Sequence, residues 1–62
     1  MIGERLTQLR LARNLTLDAL SAKIGGIVTK QALSKYEQNR AQPSPLVLTK
    51  LYTALGVKAN YF

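Results

Sequence analysis

From Leu15 to Tyr36 the apolar residues recur at helical rather than strand spacing, with Leu17, Leu20 and Ile24 in one run and Leu33 and Tyr36 in the next. Thr16 and Thr29 each stand just before such a run, where a hydroxyl can accept a bond from a backbone N–H that the helix start leaves unsatisfied. Gly25 and Gly26 stop the first of these helices, and Asp18 in its first turn suits the positive end of its dipole. Upstream, Ile2, Leu6 and Leu9 recur at steps of four and three, and Asn14 supplies a residue that tolerates a left-handed exit. Downstream, Ser44 followed by Pro45 is a cap and a first-turn proline, Leu48, Leu51, Tyr52 and Leu55 form one stripe, and Gly56 with Val57 closes it. The spacing predicts helices over 2–13, 16–24, 29–38 and 44–55, and Ala59, Tyr61 and Phe62 suit the start of a fifth. No strand alternation, repeat or low-complexity tract competes, so the class is an all-α domain of four to five helices over residues 1–62.

The third helix has an informative polar side. A turn of about 100° per residue from Lys30 places Lys30, Gln31, Ser34, Lys35 and Gln38 in one arc of roughly 140°, opposite Leu33 and Tyr36. Lys and Gln are side chains that reach base edges in a major groove, Lys donating to guanine acceptors and Gln pairing with adenine. A solvated outer face has the same composition, so the arc alone leaves both readings open.

Composition narrows the choice. Nine Lys and Arg against three acids give a net charge of +6 on 62 residues, which calls for an anionic partner. The basic residues are dispersed, without the cluster expected of a lipid-binding tail, and the longest apolar run is three residues. With no signal peptide pattern either, the expected location is the cytoplasm, with no membrane partner. There is no Cys and no His, so thiolate or zinc sites and His-based nucleophile relays have no parts. Glu4, Asp18 and Glu37 are the only acids and lie on different predicted helices. The expectation is a protein with no enzymatic activity, no metal and no cofactor.

Taken together, IGERLTQLRLARNLTLDALSAKIG, VTKQALSKYEQNRAQPS and LTKLYTALGV resemble the phage-repressor and Cro type of helix-turn-helix domain, also called the xenobiotic-response-element type. The resemblance covers almost the whole chain. It implies a compact lambda-repressor-like bundle that binds double-stranded DNA sequence-specifically in transcriptional regulation, its third helix lying in the major groove. Carried onto this sequence, it makes Thr29 the cap of the recognition helix and Lys30, Gln31 and Lys35 its base-facing residues. Thr16, Thr29, Ser34, Gln38 and Arg40 become backbone-contacting or supporting residues. Arg10 and Glu37 match a basic and an acidic position that pair across the domain. Ser21 stands where the family has a small residue, and its hydroxyl is expected to bond a carbonyl one turn earlier. Asn39 replaces a family Gly at a left-handed position, so Asn39→Gly is expected to be close to neutral.

The turn Gly25, Gly26, Ile27, Val28 is longer by two residues than the family's common connection. Either Val28 fills the usual apolar slot with Ile27 outside it, or the recognition helix is displaced along the groove. The longer turn resembles a subgroup in which a metallopeptidase-like domain follows, which would make this chain the N-terminal part of a longer one. Other readings are a protein-interaction or antitoxin-like module of the same fold, and homodimerisation through Val57–Phe62 or residues beyond it. Leu46, off the apolar stripe of its helix, joins such a contact if Tyr61 or Phe62 is exposed beside it. Tyr36 and Tyr52 are either core aromatics or, as in single-strand binders, stacking platforms.

Overall fold

A computed structural model of the chain describes residues 2–57. Four helices follow one another: α1 (Ile2–Ala12), α2 (Leu17–Lys23), α3 (Lys30–Glu37) and α4 (Pro45–Ala54), with no strand among the described residues. The helices α2, α3 and α4 are each shorter than the predicted span by one residue at either end because the flanking residues are caps, and α1 stops one residue short of its predicted end. Thr16, Thr29 and Ser44 have extended backbones, and their hydroxyls accept from the amides of Ala19, Ala32 and Val47 at 3.0, 3.1 and 3.2 Å. The expected fifth helix falls outside the described residues.

All four helices end in the same way. Asn14, Gly25, Asn39 and Gly56 have positive φ, between 56° and 79°. After each, the two backbone N–H groups that follow the helix turn back onto its last carbonyls, as in Asn39 to Tyr36 and Arg40 to Lys35 at 3.1 and 2.9 Å. This double bond pattern satisfies acceptors that the helix end would otherwise leave open. Asn14 and Asn39 replace glycine at two of the four sites, as their tolerance of the left-handed region allows.

The helices converge on one core. Leu6 of α1, Leu20 and Ile24 of α2 and its cap, Leu33 of α3, and Leu51, Tyr52 and Leu55 of α4 and its cap are buried. Leu9, Leu15, Leu17, Val28, Tyr36, Val47 and Leu48 pack around them. Both tyrosines therefore belong to the core side. Burial raises the Tyr52 phenol above its usual pKa, against the opposing pull of the Arg5 charge. Ile2 and Leu46 lie at the surface, as does Ile27, 48% exposed, whereas Val28 packs against the core. The longer turn is thus absorbed with Val28 in the apolar slot and Ile27 outside it. No helix among the described residues is long and apolar enough to cross a membrane.

The first turn of α1 rests on the end of α3. A Cβ at Gly3 would lie 2.5 Å from the Glu37 carbonyl oxygen and 2.7 Å from that of Tyr36, so only glycine permits this approach. The Gly3 N–H, one of the orphan donors of the α1 start, is accepted by Asn39 Oδ1 at 3.0 Å, and Asn39 Nδ2 donates to Glu4 Oε1 at 2.8 Å. This bond holds the Glu4 carboxyl below its usual pKa. Asn39 therefore closes one helix with its backbone and starts another with its side chain, which corrects the expectation that glycine would serve as well.

Asn39→Gly should keep the backbone turn yet destabilise the domain by about 1 kcal/mol, the typical worth of a helix cap. A depressed carboxyl contributes stability above its ordinary pKa that is lost as pH falls through its folded value. The deficit of Asn39→Gly should accordingly narrow below about pH 4.5, and thermal melts of both proteins from pH 7 to pH 3 would measure it. Gly3→Ala, by forcing α1 off the end of α3, should cost roughly 1 to 3 kcal/mol, the range for an overpacked site. Denaturant unfolding reads that loss.

Candidate nucleic-acid interface

The pose of α3 is set from behind. Gly3, Thr7 and Arg10 fall within a narrow arc of α1, since steps of four and three return to one face, and all three reach the last turn of α3. Arg10 Nε and Nη2 donate to Glu37 Oε2 and Oε1 at 2.8 and 3.0 Å, a two-pronged pair whose side chains are 14% and 10% exposed. The Thr7 hydroxyl sits 2.9 Å from Glu37 Oε1 and 3.1 Å from the Gly3 carbonyl oxygen, with one hydrogen to share between them. Arg10 Nη1 donates to the Leu15 carbonyl at 2.9 Å and so ties the α1–α2 connection into the same group. The Glu37 carboxylate holds the Arg10 guanidinium above its usual pKa, against the opposing effect of burial. Such a planar fork on a carboxylate fixes orientation as well as distance.

The pose is set from the side by α2. Ser21 Oγ donates to the Val28 carbonyl at 2.7 Å, across the turn and not back along its own helix as expected. The turn brings the Val28 carbonyl, just ahead of the Thr29 cap of α3, within reach of this hydroxyl. The small side chain at position 21 permits the close packing of the two helices, and its hydroxyl joins the turn to α2.

With Leu33 buried and Tyr36 against the core, α3 turns Lys30, Gln31, Lys35 and Gln38 outward, with Ser34 half-buried among them. Gln38 Nε2 donates to Ser34 Oγ at 2.8 Å, so these two brace one another. Thr16 and Thr29 are exposed at the starts of α2 and α3. Each hydroxyl accepts its capping bond and retains its own hydrogen to donate outward. Arg40 is exposed just past α3, its backbone N–H fixed on Lys35. The first turns of α2 and α3 meet through Lys30 Nζ and Asp18 Oδ2, 3.5 Å apart. The outer side thus carries amide and ammonium donors along a short helix and its cap, with a guanidinium just past its end.

Two residues and one contact of this arrangement were not singled out from sequence. Gly3 had a signal, because a glycine inside a helical pattern costs stability unless a close approach requires it. Thr7 had one too, in its helical spacing with Gly3 and Arg10. The contact of Asp18 with Lys30 had none, since it depends on how α2 and α3 cross. Of the segment Val57–Phe62, residues 58–62 lie outside the described residues, and so do the Tyr61 and Phe62 partners considered for Leu46.

A buried-sided helix held at its end by α1 and at its start by α2, with donors along its free side, is the form of a helix-turn-helix domain. The helix-turn-helix family model of the Cro/C1 type matches residues 6–62, and the chain belongs to that family. It is 34% identical over 61 residues to an SPbeta prophage-derived HTH-type transcriptional regulator, YonR, of Bacillus subtilis (strain 168). That match takes in 98% of this chain and 55% of the relative, so the chain spans about half the length of the curated relative it matches. No solved structure matches significantly.

Because the Arg10–Glu37 pair is only partly withdrawn from water, Arg10→Met or Glu37→Gln alone should cost about 1 to 3 kcal/mol, the range for a polar group left without its partner and short of the fully buried limit. The double variant should cost clearly less than the two single losses combined. A double-mutant cycle by chemical denaturation gives the coupling, and additive losses would show that the pair does not act as a unit.

Proposed function

We propose that this domain binds duplex DNA sequence-specifically in transcriptional regulation, with α3 in the major groove and Lys30, Gln31 and Lys35 toward base edges. The observation that carries the reading is the roll of α3: the side chains that seat it, Leu33 and Tyr36, leave the donor-bearing arc facing out. A helix of this width fits the major groove, and amide and ammonium groups there discriminate base pairs. Gln31 offers a donor and an acceptor on one plane, the match for adenine; Lys30 and Lys35 offer donors, the match for guanine.

The backbone contacts follow from the same placement. Thr16 and Thr29 have hydroxyl hydrogens to donate to phosphate oxygens, and Arg40 supplies charge past the helix end. Ser34 and Gln38, already bonded to each other, serve to hold the face. The family membership supports this reading, as does the name of the prophage regulator. In the same proposal, two copies joined through Val57–Phe62 or beyond would set two α3 helices on half-sites about one turn of DNA apart. The surplus of cations over acids suits the protein to a polyanion.

Gln31→Ala should weaken binding to a duplex enriched from a random library by about 1 to 3 kcal/mol and relax the preference at one base pair. Arg40→Ala should instead weaken all duplexes alike and flatten the slope of log affinity against log salt by about 0.9. Titrations against the enriched and a scrambled duplex at two salt concentrations separate the two effects. An unchanged sequence preference in Gln31→Ala would remove this face from base reading.

A further inference from the structure

The chain has three acids, and each is placed. Glu37 is bound by Arg10 and Thr7 behind α3, and Glu4 by Asn39 at the start of α1. Asp18 stands beside the start of α3, its side chain 73% exposed and its Oδ2 3.5 Å from Lys30 Nζ. Lys30 opens α3, where the helix dipole is positive, and α3 has no acid in its own first turn. A lysine there is electrostatically misplaced by its own helix, and the neighbouring helix supplies the compensating charge.

The geometry points to Asp18 as a specificity-determining residue that acts through Lys30, an inference that rests on the DNA-reading role proposed for α3. A phosphate met at random offers Lys30 one anion in exchange for another, and brings its own charge against Asp18. A guanine edge offers two acceptors, O6 and N7, that carry no full charge and do not repel the carboxylate. Asp18 therefore weakens engagement with arbitrary backbone more than engagement with the correct base. In water an exposed pair of this kind is weak, so it is readily exchanged and does not lock Lys30. It sets a threshold that a non-cognate site fails to meet.

The test uses Asp18→Asn, which keeps shape and removes charge, together with Lys30→Gln and the double variant. Each is titrated against the library-enriched duplex and its scrambled counterpart at two salt concentrations. Asp18→Asn should raise affinity for the scrambled duplex by up to about fivefold, the equivalent of one surface ion pair, and steepen its salt slope by up to about 0.9. Affinity for the enriched duplex should change less than about twofold, within that same surface-pair scale, so the ratio between duplexes falls. Asp18→Glu should preserve the ratio, which a helix-start role alone would not distinguish from Asp18→Asn at matched folding stability. In the Lys30→Gln background, Asp18→Asn should leave the ratio unchanged. Equal gains on both duplexes, no gain on either, or a full effect without Lys30 would overturn the inference while leaving the base-reading role intact. If Gln31→Ala leaves preference for the enriched duplex unaltered, the reading of the α3 face fails and this inference with it.

Discussion

The Glu37 carboxylate is the point on which the arrangement turns. It lies at the last turn of α3, accepts from Arg10 through two nitrogens and has the Thr7 hydroxyl beside it, while the same guanidinium grips the Leu15 carbonyl. A nonpolar contact between α1 and α3 would bury area but leave the helices free to slide and roll. A planar fork on a carboxylate does not, because both its bonds weaken together when either partner rotates. The outward angle of α3 is therefore fixed from inside the domain, by groups that lie away from its exposed arc.

Around that point the fold uses two kinds of restraint with separate tasks. The core of Leu6, Leu20, Ile24, Leu33, Leu51, Tyr52 and Leu55 supplies cohesion without direction. Direction comes from polar contacts at helix ends: Asn39 on Gly3 and Glu4, Ser21 on Val28, and Arg10 on Glu37 and Leu15. Several of these bonds involve a backbone group that a helix end or turn leaves open, so satisfying the end and positioning the neighbour are one act. The recognition helix is positioned at both ends by such contacts.

The helices and their ends were legible because they are written locally. A hydroxyl before an apolar run, and Gly or Asn after it, describe events within five residues, and Leu17, Leu20 and Ile24 describe one face. The Arg10–Glu37 relation was legible only through the family resemblance, since nothing in either residue's neighbourhood names the other. What stayed out of reach was crossing geometry. Ser21 bonds forward across a turn and not backward along its helix, Asn39 has a second task at the start of α1, and Asp18 finds Lys30. In each case the partner is chosen by how two helices meet, which local pattern does not encode. The predicted spans of α2, α3 and α4 ran long at both ends for a related reason, as residues such as Thr29 and Gln38 share a helix's hydrogen bonds without sharing its backbone conformation.

The repeated helix endings bear on how the chain reaches this state. Helices of seven to eleven residues are too short to persist alone in water, so none of the four can wait preformed for the others. The hydroxyl starts and left-handed stops instead bias each segment toward its correct limits before any packing exists, and the brief connections keep most early encounters between near neighbours along the chain. Topologies of this kind cross their folding barrier within about microseconds to milliseconds. Small single domains of this kind unfold as a unit as a rule, so α3, at eight residues, has no existence apart from the body that aims it.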